Sequence, residues 1–168
     1  MAEDRELLSR IATGDEAAFK RLYARYADRV FRYALTLLRD RHLAEEVVQE
    51  TMVAVWNGAR TFRGTAQVST WIFGIARNQA HALRRRESRG ERVPDEPAVL
   101  PDPAEQVEVQ DRVLAAVEEL PPEQREVVFL AFYEGLSYRE IARFLGVPEG
   151  TVKSRMYFAK RKLREVLT

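Results

Sequence analysis

The sequence contains no cysteine at all, which excludes disulfides, thiol redox sensing and cysteine-ligated zinc. It holds only two histidines, His42 and His81, and neither stands in an HExxH or any other metal-ligand spacing. Glu46 and Glu50 lie four apart, yet the Glu-x-x-His pairs of a di-metal carboxylate bundle are missing. No phosphate-cradling glycine loop is present. The sequence therefore predicts no catalytic residue, no metal site and no cofactor. No apolar run approaches the roughly twenty residues needed to span a bilayer. Residues 1–10 mix acids with bases and lack the apolar core of a signal peptide. A cytoplasmic protein without membrane insertion is expected. Strand-like alternation is also missing, so an all-α fold is predicted.

What the sequence does have is charge in separate places. Its 27 Lys and Arg nearly balance 26 Asp and Glu, for a net charge of +1. Across residues 95–126, however, ten acids (Asp95, Glu96, Asp102, Glu105, Glu108, Asp111, Glu118, Glu119, Glu123, Glu126) face only Arg112 and Arg125. The final segment reverses this, with Lys153, Arg155, Lys160, Arg161, Lys162 and Arg164 against Glu165. Segregation of this kind predicts a local polyanion-binding surface rather than a generally basic protein.

Helical periodicity recurs along the chain. Phe19, Leu22, Tyr23, Tyr26, Val30, Ala34 and Leu37 share one face of a predicted helical hairpin, and Gly14-Asp15 supplies a stop and a cap before it. Ala44, Val47, Val48, Thr51 and Val55 form a second stripe, ended by Asn57-Gly58. Ser69 is read as the cap of a third helix with Ile72, Ile75, Ala76 and Leu83 inward. Residues 89–106 then hold Pro94, Pro97, Pro101 and Pro103 with many acids, the composition of a flexible linker. Periodicity resumes at Val107, Val113, Leu114, Val117 and Leu120. Pro121-Pro122 opens a further helix and Glu134-Gly135 closes it. Two small helical domains are predicted, residues 1–88 and 107–168, joined by an acidic, proline-rich linker over residues 89–106.

The last segment carries the most specific pattern. Ser137-Tyr138-Arg139-Glu140 fits a capping box. Small Ala142 permits close helix crossing, and Gly146 can take the left-handed turn. Val152 anchors a second helix whose buried stripe is Val152, Met156, Ala159 and Leu163, leaving Lys153, Ser154, Tyr157, Lys160 and Arg161 outward. This is a helix-turn-helix pattern, with a basic, hydroxyl-bearing face suited to the major groove. The second helix is expected to begin near Pro148, with free N–H groups at Gly150 and Thr151 for a phosphate.

The first domain offers a second constellation. A short loop with Arg63, Gly64, Thr65 and Gln67 precedes the third helix. Trp71, Gly74 and Asn78 share one non-core face of that helix, and Arg77, His81 and Arg84 share another, with Arg85 and Arg86 beyond. Aromatics among Arg and Asn suit unstacked single-stranded bases and their backbone. The bland alternative for Trp71 is a core tryptophan beside a surface arginine run. On the preceding helix Glu45, Glu46, Gln49 and Glu50 form a polar side.

Four segments, FKRLYARYADRVFRYAL, AEEVVQETMVAVW, TFRGTAQVSTWIFGIARNQA and LPPEQREVVFLAFYEGLSYREIARFLGVPEGTVKSR, occur in an order that resembles bacterial sigma factors of the extracytoplasmic-function (ECF) group, within the sigma-70 family. The resemblance covers the chain outside its extreme N-terminus and the linker. It implies a region 2 domain that holds the polymerase clamp helices and melts the minus-ten element. It also implies a region 4 domain that reads the minus-thirty-five element and touches the polymerase flap. Carried onto this sequence, it assigns Glu45, Glu46, Gln49 and Glu50 to core polymerase. Arg63, Gly64, Thr65, Gln67, Trp71, Arg77, Asn78, His81, Arg84 and Arg85 fall to minus-ten DNA. Thr151, Lys153, Ser154, Arg155, Tyr157, Phe158, Lys160 and Arg161 fall to minus-thirty-five DNA. The implied partners are core RNA polymerase, promoter DNA and an anti-sigma factor. Two departures stand out: Glu46 replaces a frequent Asp, and Phe158 a frequent Arg. No sensor domain is expected beyond Thr168. About twenty residues of chain between the domains, at ~3.3 Å each, reach at most roughly 66 Å, comparable with two helical turns of DNA at about 68 Å. The remaining alternative is a stand-alone helix-turn-helix regulator, which would bind duplex DNA without polymerase.

Overall fold

The computed structural model describes residues 2–90, 112 and 115–167. Among these, every regular element is helical. The chain divides into two compact units, one within residues 1–98 and the other within 99–168. The first unit comprises α1 (Ala2–Ala12), α2 (Glu16–Leu38), α3 (Arg41–Gly58), a 3-10 turn over Ala59–Thr61, and α4 (Val68–Ser88). The second comprises a helical stretch over 115–118, then α5 (Pro122–Phe132), α6 (Tyr138–Leu145) and α7 (Glu149–Leu167).

In the first unit α2 packs on α3 and α4, α3 on α4, and α1 on α2. The buried face of α2 carries Ala18, Leu22, Tyr26, Val30, Tyr33 and Ala34 at helical spacing. It meets Leu43, Ala44, Val47, Met52 and Val55 of α3 and Ile72, Phe73, Ala76, Ala80 and Leu83 of α4. The predicted hairpin over residues 19–37 is instead one helix. Phe19, Tyr23 and Leu37 leave its buried stripe, Tyr23 being 42 % exposed. Asp15 caps α2 as expected. Its carboxylate accepts from the Ala18 N–H at 3.1 Å and from Arg10 Nε at 2.9 Å, bonds that hold its pKa below the usual carboxylate value.

Two features had no counterpart in the sequence reading. The turn from α2 to α3 is made without glycine: Arg39 takes the left-handed conformation (φ 53°), and Asp40 caps α3 by accepting from the Leu43 N–H at 3.0 Å. Helix α1 buries Leu7, Leu8 and Ile11. It is fastened to α2 by a buried Tyr26 hydroxyl donating to the Asp4 carboxylate and by Arg25 Nε, 3.0 Å from the other Asp4 oxygen.

Ser69 does not cap α4. The helix begins at Val68, with Gln67 as its extended N-cap residue and no capping side chain. Fully buried Val68 fixes the register, and the first turn closes when the Trp71 N–H bonds to the Gln67 carbonyl at 3.0 Å. Ile75, expected inward, is only half-buried, while Phe73 and Ala80 join the core. The predicted linker lies outside the described residues except for Arg89 and Gly90, and so do Val107, Val113 and Leu114 of the stripe that follows it.

The second unit packs α5, α6 and α7 around Leu120, Val127, Leu130, Ile141, Val152 and Met156. Pro121 and Pro122 open α5 as predicted. The helix stops at Phe132, and Gly135 (φ 69°) takes the left-handed conformation in the turn beyond it. Arg125 is buried at 5 % exposure. Its Nη1 donates to the Leu120 carbonyl at 3.0 Å, tying the start of α5 to the segment before it.

Candidate nucleic-acid interface

Helices α6 and α7 form the predicted helix-turn-helix. The capping box is complete: Ser137 Oγ accepts from the Glu140 N–H at 3.1 Å, and Glu140 Oε1 accepts from the Ser137 N–H at 2.9 Å. Gly146 closes α6 at φ 71°, its N–H bonded to the Ala142 carbonyl. Val152, Met156 and Ala159 are buried, so α7 presents its other sides outward; Leu163, assigned to the same stripe, is half-buried. Lys153, Ser154, Tyr157, Lys160 and Arg161 are exposed, as the spacing predicted. Phe158 is 51 % exposed and edge-on to Tyr157, an apolar pair in a basic face.

The start of α7 differs from expectation. The Thr151 N–H donates to the Pro148 carbonyl at 3.0 Å, and the Val152 N–H reaches the same oxygen at 3.4 Å. A tight first turn thus consumes one of the two amides expected to be free for a phosphate, that of Thr151. Glu149 adds a negative charge there, which suits the helix dipole but not a phosphate. The basic groups lie farther along. Lys153 Nζ is 3.8 Å from Glu149, Arg161 Nε is 4.0 Å from Glu165, and Lys160 Nζ reaches the Tyr138 hydroxyl at 3.5 Å. Exposed i,i+4 pairs of this length hold their partners weakly, so these cations are available to exchange for phosphates. A groove of about 740 Å³ runs beside α7. It is lined by Thr151, Ser154, Arg155 and Phe158 and, from α5, by Glu123 and Gln124. The sequence reading missed those two α5 residues, because nothing local to α5 indicates that its first turn faces α7.

The first unit builds its surface from several elements. Arg63, Thr65 and Gln67 are exposed in the loop before α4, and Gly64 takes φ 75°. Trp71 is half-buried, its ring edge-on to Phe62 at 5.3 Å and packed over Gly58, where a Cβ would sit 3.5 Å from the indole. One side of this ring is therefore committed to packing. Gly74 is half-buried and Asn78 exposed one and two turns on. Arg77 and His81 are half-buried, and Arg85 is exposed. Arg84 Nη2 donates to the Leu37 carbonyl at the end of α2, so part of this side chain serves the fold. On α3, Glu45, Gln49 and Glu50 are exposed and Glu46 is half-buried; Glu45 lies 3.8 Å from Arg41. The structure groups the loop with the start of α4, and places the α3 acids on a separate helix.

Residues absent from the sequence reading hold that loop. Arg5 of α1 donates from Nη2 to the carbonyls of Gly64 (3.1 Å) and Ala66 (3.4 Å), with its guanidinium carbon 5.9 Å from the Phe62 ring centre. Arg60 Nε donates to the Ala12 carbonyl at 3.2 Å. Among the described residues no group of His, Asp and Glu could hold a metal ion, and no helix is long and apolar enough to cross a membrane.

A capped helix-turn-helix with a basic outer helix defines a DNA-binding class of protein. The comparisons narrow it. Residues 22–90 match the family described as Sigma-70 region 2, and residues 110–163 match Sigma-70, region 4. The chain is 38% identical to the ECF RNA polymerase sigma factor SigE of Mycolicibacterium smegmatis, covering 93% of this chain but 65% of that protein. It is 35% identical to the ECF RNA polymerase sigma factor SigM of Mycobacterium tuberculosis, over 98% of this chain and 84% of SigM. The sigma factor RpoE of Bartonella quintana, solved with the anti-sigma factor NepR, superposes with a TM-score of 0.74 at 27% identity, over 89% of this chain and 96% of that one. The chain belongs to the ECF RNA polymerase sigma factors.

Proposed function

We propose that this chain binds core RNA polymerase and directs it to the promoters of a dedicated regulon, where it takes part in DNA melting and transcription initiation. In this reading residues 1–88 act as region 2. Glu45, Glu46, Gln49 and Glu50 of α3 dock on the basic clamp helices. Arg63, Gly64, Thr65 and Gln67 of the loop, with Trp71, Arg77, Asn78, His81, Arg84 and Arg85 of α4, engage the minus-ten element. Asn78 offers both a donor and an acceptor to an unstacked base edge. Residues 107–168 act as region 4. Lys153 and Ser154 read bases of the minus-thirty-five element, Tyr157 and Phe158 supply apolar and aromatic contact, and Thr151, Arg155, Lys160 and Arg161 hold the backbone. The same domain meets the polymerase flap, and residues 89–106 join the two domains. The chain contributes binding rather than catalysis, needs no cofactor and works in the cytoplasm. An anti-sigma factor covers surfaces of both domains when transcription is off; the Bartonella quintana relative was solved in complex with one.

The observation that carries this reading is the exposed basic face of α7 over its buried Val152–Met156–Ala159 stripe, in a chain whose other unit matches region 2. The test is run-off transcription with core polymerase on a randomised promoter library. Transcripts should depend on the chain, and one pair of elements should emerge. A stand-alone regulator would instead select duplex DNA with no polymerase present. For the polymerase contact, Glu50→Lys should weaken holoenzyme assembly roughly tenfold or more, because it sets a like charge against a basic surface. Exposed Glu50 contributes under about 0.5 kcal/mol to folding, so the helical circular dichroism signal and the melting temperature should stay close to the parent's. Unchanged affinity for core polymerase would remove α3 from the interface.

A further inference from the structure

We propose that Arg5 of α1 is a positioning residue for promoter opening: it holds the loop of residues 63–67 in the shape that receives a single-stranded base. The inference rests on the reading of that loop as part of the minus-ten site.

The loop has little to order it from within. Residues 62–67 form no helix, and Gly64 sits at φ 75°, a conformation in which glycine is at home and other residues are strained. Its two carbonyl contacts come from the guanidinium of a helix about sixty positions earlier. The Nη2 amino group of Arg5 donates to two carbonyls of the same loop, those of Gly64 and Ala66, and the guanidinium lies close to Phe62 at the loop's entrance. The fit is close on the loop side too. A Cβ at residue 64 would stand 3.0 Å from Arg5 Nη1, so glycine leaves room for the guanidinium as well as permitting the backbone turn.

The platform behind Arg5 is packed against the rest of its unit. Leu7, Leu8 and Ile11 bury α1, and Glu3 pairs with Arg21 and Arg25 at 3.1 Å each. Arg60 ties the segment just before the loop to the last turn of the same helix. Helix α1 thus grips both sides of Phe62. These Arg5 hydrogen bonds are exposed, so they contribute little to global stability. Their effect is on the loop's freedom. A loop already held in its bound shape loses less conformational entropy when it closes on a base.

The test uses holoenzyme reconstituted with core polymerase. Its probes are fork-junction duplexes whose single-stranded minus-ten strand carries an abasic site at each position in turn. With the parent chain, one position should show the base-dependent affinity that the loop confers. Arg5→Ala should reduce that dependence about fivefold to tenfold at that position alone, with holoenzyme assembly and thermal melting unchanged. Arg5→Lys, which keeps a cationic donor but not the flat guanidinium beside Phe62, should recover part of it. Equal loss at every position, or no loss at any, overturns the proposal. Thr65→Ala and Gln67→Ala separate the two levels. If they abolish the base dependence while Arg5→Ala does not, Arg5 is not the positioning group although the loop reading stands. If neither loop variant changes it, the loop is not the minus-ten site and the role of Arg5 falls with it.

Discussion

The two units present polar groups to the outside by different routes. In the second, one helix does nearly all the work: α7 buries Val152, Met156 and Ala159 and turns its lysines, arginines and aromatics outward, with a capping box and a left-handed glycine fixing the helix before it. Each of those devices acts across fewer than ten residues. In the first unit the corresponding surface is assembled from distant pieces. The loop before α4 is held by Arg5 from α1, Arg84 of α4 reaches the end of α2, and Tyr26 of α2 is bonded to Asp4 of α1. Local geometry shapes the one surface and tertiary contact shapes the other. Changes to the second unit should therefore stay within it, whereas changes to the first should spread between its helices.

The largest expected effect tests that containment. Ile141 is fully buried between the two helices of the helix-turn-helix. Ile141→Ala removes three buried carbons and leaves a cavity, costing about 2–5 kcal/mol. Amide hydrogen exchange should quicken across Tyr138–Leu145 and Glu149–Leu167 while Val68–Ser88 keeps its protection. Faster exchange in α4 as well would mean that the two units unfold as one.

A smaller effect probes the long-range ties of the first unit. Burial, and then the hydrogen bond to the Asp4 carboxylate, push the Tyr26 hydroxyl from 10.0 up to about 12. The sign follows from linkage. Below about pH 10 the phenol is neutral in both folded and unfolded chains, and its contribution to stability is fully present. Between about pH 10 and 12 the unfolded chain loses the proton first, so that stability is progressively lost as pH rises, by roughly 2–3 kcal/mol. Tyr26→Phe should remove this slope, measured as the difference between parent and variant in denaturant unfolding at about pH 9 and at about pH 12. Parallel curves for the two chains would show that the Asp4–Tyr26 bond does not fasten α1.

The same contrast explains what could be read from the sequence. The helix-turn-helix was legible to the residue at Ser137, Glu140, Gly146 and Val152, because caps, turns and a short stripe are local. The core faces of α2, α3 and α4 were legible for the same reason, apart from residues at the stripe edges such as Tyr23 and Ile75. The turn through Arg39 and Asp40 was not, since a left-handed arginine carries no sequence mark when a glycine is the usual choice. Ser69 misled because a serine before an apolar run mimics a cap, while buried Val68 decided the register. Arg5 was invisible: its partners are backbone carbonyls about sixty positions away, and no pattern in residues 1–10 points to them. The Thr151 amide was misread because helix-start arguments count free N–H groups before the tightness of the first turn is known.

The last prediction divides α7 itself into readers and anchors. Lys153 stands one turn into the helix, exposed, with only an i,i+4 contact to Glu149 at 3.8 Å to restrain it. A major groove that received α7 would meet this residue near its floor, where an ammonium can donate to guanine O6 or N7. Ser154 beside it can donate or accept, and Phe158, one turn on, offers apolar contact to a thymine methyl. Arg161 lies two turns beyond Lys153 and is paired at 4.0 Å with Glu165, a position suited to the phosphate backbone. Lys153→Ala should then cost about 1–3 kcal/mol at the preferred promoter and much less at promoters altered at the base it reads. Arg161→Ala should weaken every promoter alike and lower the slope of log affinity against log salt by about one. Both variants leave the buried stripe untouched, so neither should move the melting temperature. Holoenzyme affinities across a panel of minus-thirty-five variants at several salt concentrations separate the two patterns. Identical behaviour of the two variants would mean that α7 grips DNA along its length without a division between base readout and backbone contact.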